Sequence, residues 1–325
     1  MKKNNSFAEI NQVIEKSQFP LILSHILPDG DNIGSVLGMT LLLNAMGKKT
    51  TPIVNGTLPY YYRFLPGVEY LCPRETVHHD GYDLVLALDM SDHERGGDLG
   101  DFWETCPTVV NIDHHHTNTY FGDYNYVDGD AASNTQILTE MVLAWKWPLT
   151  KEVAECFYTG MLTDSGNFTY PATSSKTLRM AAELMNYHPD LPAIRSNVFE
   201  NVTFRRKKIL GKVLTDAVAL CDGRLVYSSL NYKACQSLSA EGPDFEGIID
   251  HLIGITDVEF AIFFREMEKG VTKVGFRGRK GRDVTMVATQ FGGGGHKAAG
   301  GCTLEGNFSD CVDTVLKAAI AYLEG

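Results

Sequence analysis

The chain has 325 residues, of which 44% are hydrophobic and 21% charged, as in ordinary globular proteins, and its length favours two domains over a single core. The net charge of −11 disfavours a protein that grips long nucleic acid through its phosphates. Seven cysteines without a C-x-x-C pair disfavour a disulfide framework or a zinc-thiolate site. The sequence shows no signal peptide and no apolar run long enough to span a membrane. We therefore expect a cytoplasmic protein with no membrane contact.

Apolar runs alternate with helical patterns as far as about residue 190. The predicted strands cover residues 21–24, 50–54, 84–89 and 108–112, and the predicted helices cover 33–46, 131–145, 153–162 and 176–185. Strand, turn and helix in repeated order predict an α/β domain, with a parallel sheet and helices on both faces.

The pattern changes after residues 186–192, which contain two prolines. Further strands are predicted over 225–230, 258–265 and 272–277, with helices over 284–290 and 310–323. We therefore predict a first domain over 1–190, a connector over 191–213 and a smaller α/β domain over 214–325. Residues 1–204 contain 13 basic and 25 acidic residues, whereas 205–325 contain 16 and 15. This asymmetry suits cation binding in the first half and anion binding in the second.

Histidines and aspartates cluster where the predicted elements of the first half end. They are His25, Asp29, Asp31, Asp89, Asp113, His114, His115 and Asp164. Because parallel sheets bind ligands at the carboxyl ends of their strands, we expect these side chains to lie close together. The carboxylates would repel one another strongly unless cations neutralised them. Mixed oxygen and nitrogen ligands suit two divalent cations, either Mn²⁺ or Mg²⁺.

Each of these residues also has a simpler explanation. A single aspartate after a strand is more often a turn former or a helix cap than a metal ligand. The coincidence of several element ends that carry Asp or His nevertheless favours a shared site. Ser133 and Asn134, at the start of a predicted helix, could donate hydrogen bonds to phosphate or could simply cap the helix.

A glycine run at residues 292–295 is the other unusual segment. Consecutive glycines cost conformational entropy, so a stable fold should have a use for them. The backbone N–H groups of Gly293, Gly294 and Gly295, together with His296, could approach an anion closely, whereas a flexible turn is the alternative. A helix-like stretch directly after the run favours a phosphate or carboxylate pocket. The spacing excludes the known loops for nucleoside triphosphates and NAD.

These motifs resemble the DHH phosphoesterase superfamily, and the resemblance covers nearly the whole chain. The four motifs have the order and spacing of that family, and residues 158–168 are similar to the NrnA-type oligoribonucleases, nano-RNases that also dephosphorylate pAp. The glycine segment resembles the signature of the DHH-associated domain, DHHA1. Arg277 stands where an arginine of that domain contacts substrate phosphate, although Gly275, Gly278 and Arg279 depart from the family pattern.

The resemblance implies a role for each residue. One metal would be held by His25 and Asp29, the other by Asp31, His114 and Asp164, with Asp89 bridging them. His115 would face the scissile phosphate, and Asp113 would orient His114. A metal-bound hydroxide would attack phosphorus in a cleft between the domains. The basic wall of that cleft would consist of Arg277, Arg279, Lys280, Arg282 and Lys297, although a solubilising surface cluster is the alternative for Arg279, Lys280 and Arg282.

The implied function is a manganese-dependent hydrolase, with Mg²⁺ as the alternative metal, that cleaves oligoribonucleotides of about 2–5 residues to mononucleotides and removes the 3′-phosphate of pAp. Long nucleic acid is not expected as a partner, and a homodimer is left open. One alternative is a phosphodiesterase for cyclic or linear signalling dinucleotides. Another is a metal-dependent nucleotide-binding module without turnover, which the presence of His115 and of the full ligand set disfavours.

Overall fold

The computed structural model describes residues 3–78, 81–97, 103 and 105–325. The chain divides into two compact units, Met1–Asn201 and Val202–Gly325. Within the described residues, no helix is both long and apolar enough to cross a membrane.

The first unit contains a six-stranded sheet whose strands are all parallel. Its strands are β1 (Pro20–Leu23), β2 (Thr51–Val54), β3 (Cys72–Pro73), β4 (Leu84–Leu88), β5 (Val109–Asp113) and β6 (Tyr124–Val127). The strand order is β3-β2-β1-β4-β5-β6. Every residue of β1, β4 and β5 is buried, which explains their continuous apolar runs, since a central parallel strand is covered on both faces.

Helices cover one face of this sheet. They are α1 (Phe7–Lys16), α2 (Gly30–Ala45), α3 (Asn134–Trp145), α4 (Lys151–Asp164) and α5 (Ser175–Met185), and the short α6 (Leu191–Arg195) contacts α4. Ile22, Leu86 and Ile112 pack in one core with side chains from α1 to α5. In the described part of the chain, the opposite face packs against side chains that include the helical residue Trp103 and the loop residue Phe121. Because Trp103 is helical, helical structure contributes to both faces of the sheet, as expected.

Glycines allow α2 and α4 to pack closely in antiparallel directions. A Cβ atom at Gly34 would lie 2.5 Å from the carbonyl oxygen of Cys156, and one at Gly30 would lie 2.3 Å from Oγ1 of Thr163. Contacts this short exclude any larger residue without a shift of one helix. The close approach brings the start of α2 and the end of α4 together.

The second unit contains a six-stranded mixed sheet with helices on both faces. Its strands are β7 (Val218–Leu220), β8 (Leu225–Leu230), β9 (Phe260–Glu268), β10 (Val271–Gly278), β11 (Gly294–His296) and β12 (Ala299–Glu305). Its helices are α7 (Phe204–Thr215), α8 (Tyr232–Ser237), α9 (Ile248–Ile253), α10 (Thr285–Ala288) and α11 (Phe308–Glu324). The order is β11-β12-β10-β9-β8-β7, with β8 and β9 parallel. One core lies against α10 and α11, and the other against α7, α8 and α9.

The predicted α/β class and parallel sheet are confirmed, and the differences concern one element end, the type of one segment and a helix that the prediction lacks. Helix α2 begins at Gly30, three residues before the predicted start, so Asp31 belongs to its first turn. Strand β12, rather than a helix-like stretch, follows the glycine run. Helix α1 is absent from the prediction, although the capping box formed by Ser6 and Glu9 is a signal for it.

Candidate metal centre

Three neighbouring strands bring His25, Asp89 and Asp113 to the carboxyl edge of the parallel sheet. Asp89 has a φ of +59°, in the left-handed region that residues other than glycine rarely adopt. Its backbone N–H donates a hydrogen bond of 2.9 Å to the carbonyl of Ile112 on the adjacent strand. Strained residues of this kind are often found at functional sites. The Asp89 carboxylate oxygens lie 3.5 Å from Nε2 of His25 and 3.3 Å from Nε2 of His114.

The structure brings all the predicted ligand side chains together in overlapping groups. In each group the potential ligand atoms lie within 4.8 Å of one another. The groups are His25 with Asp29 and Asp89, Asp31 with His114 and Asp164, and Asp89 with His114 and His115. The first two correspond to the two ligand sets that the family resemblance implies, with Asp89 close to both.

Each of the three histidines uses Nδ1 for a hydrogen bond within the protein. The acceptors are the Ile26 carbonyl for His25 at 2.7 Å, the Ala131 carbonyl for His114 at 3.3 Å, and the Asp113 carboxylate for His115 at 2.7 Å. A hydrogen bond donated by Nδ1 fixes the ring orientation and leaves Nε2 available to a metal or a substrate.

Asp113 contacts a different histidine from the one expected. We expected it to orient His114, but its Oδ1 accepts the hydrogen bond from Nδ1 of His115. The reason is the alternation of side chains along a strand. Asp113 is the last residue of β5, so the side chain two residues later lies on its side of the backbone, whereas that of His114 points the other way.

The start of α3 binds the carboxylate of Asp31. Its Oδ2 accepts a hydrogen bond of 2.6 Å from the backbone N–H of Asn134, and its Oδ1 accepts from the backbone N–H and the hydroxyl of Thr135 at 3.0 and 2.6 Å. Helix N-termini favour such an anion. Thr135 is absent from the sequence prediction, since no spacing distinguishes it from other helix-start residues.

Ser133 and Asn134, the expected phosphate donors, are fully buried. The Ser133 hydroxyl caps α3 by accepting a hydrogen bond of 3.0 Å from the backbone N–H of Gln136. The Asn134 side-chain amide donates to the Ser35 hydroxyl at 3.0 Å. These contacts match the helix-cap alternative, and the anion at this helix start is Asp31.

Asp29 caps α2 as well as joining the cluster. Its Oδ1 accepts hydrogen bonds from the backbone N–H groups of Asp31 and Asn32 at 3.1 and 3.0 Å. The other carboxylate oxygen is not needed for the cap. The capping and metal-ligand explanations of Asp29 are therefore compatible.

The electrostatics of the cluster fit cations. Burial raises the pKa of Asp31 to about 7, and burial together with the charge of Asp31 raises the pKa of Asp164 to about 9. Burial opposes protonation of His114, but Asp89 and the other carboxylates outweigh it and raise the pKa of His114 to about 11. Among the described residues, Oδ1 of Asp89 and Nε2 of His25 are buried without a hydrogen-bond partner. Buried acidic groups that retain protons and buried ligand atoms that lack partners are what divalent cations would satisfy.

In the second unit, four of the five predicted basic residues contact a nearby acceptor. Nε of Arg277 on β10 donates a hydrogen bond of 2.8 Å to Asp250. Further pairs join Arg282 to Glu259 at 2.7 Å and Lys280 to Asp257 at 3.9 Å, and Arg279 donates to the Ile253 carbonyl at 3.0 Å. These contacts match the surface-cluster alternative for Arg279, Lys280 and Arg282.

The glycine run forms a β-hairpin between β11 and β12. A Cβ atom at Gly293 would lie 2.2 Å from the carbonyl oxygen of Gly301, and Gly295 has a φ of +138°. Both positions therefore require glycine for the fold itself. Gly294 has open space where a side chain would be, and His296 is exposed. Gly292 and Gly295 are exposed as well.

Comparisons with known proteins agree with the motifs. The model of the DHH family, N-terminal domain, matches residues 21–161, and that of the DHHA1 domain matches residues 222–325. The chain is 35% identical over 324 residues to the bifunctional oligoribonuclease and PAP phosphatase NrnA of Thermus thermophilus, an alignment that covers 98% of this chain and 93% of that protein. The chain belongs to the DHH phosphoesterase family. The predictions of this family and of a metal-dependent phosphoesterase are therefore confirmed.

Two other proteins extend the comparison. The protein named bifunctional oligoribonuclease and PAP phosphatase NrnA of Bacillus subtilis is 26% identical over 287 residues, covering 86% of this chain and 87% of that protein. The crystal structure of an exopolyphosphatase-related protein from Bacteroides fragilis superposes with a TM-score of 0.89 at 24% identity, over 98% of this chain and 95% of that one. The latter likeness supports the fold alone.

Proposed function

We propose that this DHH phosphoesterase hydrolyses short oligoribonucleotides to mononucleotides and removes the 3′-phosphate of pAp. The observation that carries the proposal is the pair of adjacent ligand groups at the sheet edge, with Asp89 within 3.5 Å of His25 and 3.3 Å of His114. It is supported by relatives named oligoribonuclease and PAP phosphatase, which align over most of the chain.

In this proposal the two ligand groups hold two divalent cations. One cation would be held by His25 and Asp29, and the other by Asp31, His114 and Asp164, with Asp89 shared. Such cations would lower the pKa of the water molecule that acts as nucleophile, and they would neutralise charge on the phosphoryl oxygens. Imidazole and carboxylate ligands favour Mn²⁺, with Mg²⁺ as the alternative.

His115 is the proposed contact to the scissile phosphate. Its side chain is 33% exposed, compared with 14% for His114. Because Nδ1 is bound to Asp113, the Nε2 atom is the one available to a phosphoryl oxygen. A positioned imidazole of this kind can stabilise charge on the phosphoryl group or donate a proton to the leaving group.

Substrate size follows from the charges. The net charge of −11 disfavours a long polyanion, and Lys280 and Arg282 are paired with acidic neighbours. We propose that Arg277, Gly294 and His296 contact a substrate phosphate, as the family resemblance implies. A cytoplasmic location stays a prediction from the cysteine content, and a homodimer stays one to be tested by analytical ultracentrifugation.

The test is a substrate panel with matched variants. Purified protein is incubated with pAp, RNA 2-mers, 5-mers and 24-mers, and cyclic dinucleotides, each with Mn²⁺ or Mg²⁺. We expect turnover of pAp and of the short RNAs, little cleavage of the 24-mer, and loss of activity in Asp31→Asn and His115→Asn. Asp123→Asn is the control, because Asp123 accepts a hydrogen bond of 2.9 Å from the backbone N–H of Val109, at the opposite end of β5.

Two outcomes would overturn the proposal. One is release of mononucleotides by Asp31→Asn at the wild-type rate, which would place the chemistry elsewhere. The other is preference for the 24-mer or for cyclic dinucleotides, which would assign a different substrate to the same centre.

A further inference from the structure

We propose that Asn118 is a positioning residue for His115 and acts through Asp113. This inference rests on the proposed function, in which His115 meets the scissile phosphate. Asn118 lies in the loop after the Asp113-His114-His115 motif, and nothing in its spacing marks it in the sequence. Asn111, a polar residue within the apolar strand β5, is the one sequence signal of a buried polar network here.

A continuous series of hydrogen bonds leads from Asn118 to the imidazole. Nδ2 of Asn118 donates a hydrogen bond of 2.6 Å to Oδ2 of Asp113. Oδ1 of the same carboxylate accepts the hydrogen bond of 2.7 Å from Nδ1 of His115. Asp113 is fully buried. A buried carboxylate depends on such partners, so the two bonds together fix where Asp113 lies and how His115 is oriented.

The orientation of the Asn118 amide is itself fixed by a second contact. Its Oδ1 accepts a hydrogen bond of 2.6 Å from the backbone N–H of Tyr120, a residue with a φ of +54°. A flipped amide would place its oxygen against the Asp113 carboxylate and its NH₂ group against the Tyr120 N–H. Both contacts would be repulsive, so the amide presents a donor to Asp113.

Asn118 also links His115 to the turn that carries Asp89. Its Nδ2 lies 3.0 Å from the Met90 carbonyl and 2.9 Å from Oδ1 of Asn111. Nδ2 of Asn111 donates to the same Met90 carbonyl at 3.1 Å. The two asparagines thus hold the residue that follows the strained Asp89. Loss of Asn118 alone leaves the Asn111 contact to support this turn.

The network predicts a selective defect. Without the Asn118 donor, Oδ2 of Asp113 loses this side-chain partner, and the carboxylate is free to move, so that it holds Nδ1 of His115 less well. His25 and His114 are oriented by backbone carbonyls and are not affected. The expected result is a fall in kcat of about 10–100-fold, the usual range for removal of a supporting hydrogen bond, with metal binding close to wild type.

The experiment compares Asn118→Ala and Asn118→Asp with Asn125→Ala in the full-length protein. Asn118 is half-buried and Asn125 is buried, and within the described residues the Asn125 side chain bonds to the backbone of Gly122, at 2.6 and 3.0 Å. Both Asn118 variants should lose kcat on pAp, with little change in KM or in bound metal measured by mass spectrometry. Asn118→Asp should lose the most, because it sets a carboxylate against Asp113. Asn125→Ala should affect only the free energy of unfolding.

A spectroscopic readout separates this inference from the proposed function. In ¹⁵N-histidine-labelled protein with Mg²⁺, His115 should show a proton on Nδ1 in a strong hydrogen bond, assigned by its loss in His115→Asn. Asn118→Asp should shift that resonance, and the resonances of His25 and His114 should stay in place.

The inference is overturned if the Nδ1 proton is absent from the wild type, or if Asn118→Asp leaves both this resonance and kcat unchanged. It is also overturned if the loss of kcat merely follows thermal stability, as judged against Asn125→Ala. A protein inactive on every substrate in the panel but with the expected spectra would refute the proposed function and leave the positioning role intact.

Discussion

Substitution of Gly160 by alanine should destabilise the first unit, although alanine is normally the better helix residue. Gly160 lies within α4, and a Cβ atom there would lie 2.5 Å from Cγ2 and 2.8 Å from Oγ1 of Thr135, and 2.9 Å from Oδ1 of Asp31. Thr135 is fully buried, and its hydroxyl is bonded to Asp31 at 2.6 Å. Neither neighbour can move away without breaking a hydrogen bond that holds a candidate metal ligand.

The expected change in the free energy of unfolding follows from two opposing effects of the added methyl group. Alanine in place of glycine inside a helix stabilises by roughly 0.5–1 kcal/mol. Insertion of a methyl group into a tightly packed interior costs about 1–3 kcal/mol. Contacts well under 3 Å put this position toward the upper end of that cost. The expected net loss is about 1–2 kcal/mol in the free energy of unfolding.

The assay is urea unfolding followed by tryptophan fluorescence. All three tryptophans of the chain, Trp103, Trp145 and Trp147, lie in the first unit, so the signal reports on that unit. Thr135→Ala removes the two closest atoms, so the cost of Gly160→Ala should shrink in that background, with a coupling of about 1–2 kcal/mol. An equal cost in both backgrounds, or a stabilised Gly160→Ala protein, would refute the reasoning.

Three further predictions concern other parts of the chain. In the metal-free protein at pH 7, Asp164 and His114 hold protons, since their pKa values are raised to about 9 and about 11. Mn²⁺ binding should therefore release roughly one to two protons and become tighter as pH rises. Calorimetry in buffers of different ionisation enthalpy measures the number of protons released, and a value of zero would contradict the prediction. Gly211→Ala, at a helical position with nothing within 4 Å of the added methyl group, should stabilise the second unit by about 0.5–1 kcal/mol, as measured by circular dichroism. Asp244→Ala should destabilise the same unit by roughly 1–3 kcal/mol, because the buried Asp244 carboxylate accepts a hydrogen bond of 2.6 Å from Arg205; a neutral result would show that solvent replaces this pair.

The candidate site illustrates how far local patterns reach. Apolar runs that end in His25, Asp89 and Asp113 predicted the convergence of these residues, because parallel strands carry their carboxyl ends to one edge of the sheet. Asp29 shows the limit, since it is both a helix cap and a member of the cluster, two explanations that the sequence offered as alternatives. Ser133 and Asn134 show the same limit. The start of α3 could bind either a phosphate or a carboxylate, and in the structure the backbone N–H of Asn134 donates to the carboxylate of Asp31.

The sequence by itself determined the α/β class, the family and the set of residues that form the cluster, because strand periodicity and motif spacing are local properties of the chain. Only the tertiary structure decided which side chains of the cluster contact one another. Asp113 contacts His115 rather than His114 because side chains alternate at the end of β5, and Asn118 reaches Asp113 because the loop after the motif folds back onto the sheet edge. Hydrogen bonds between residues that are distant in the chain, such as that from Thr135 to Asp31, depend on helix packing, and no local pattern records that packing.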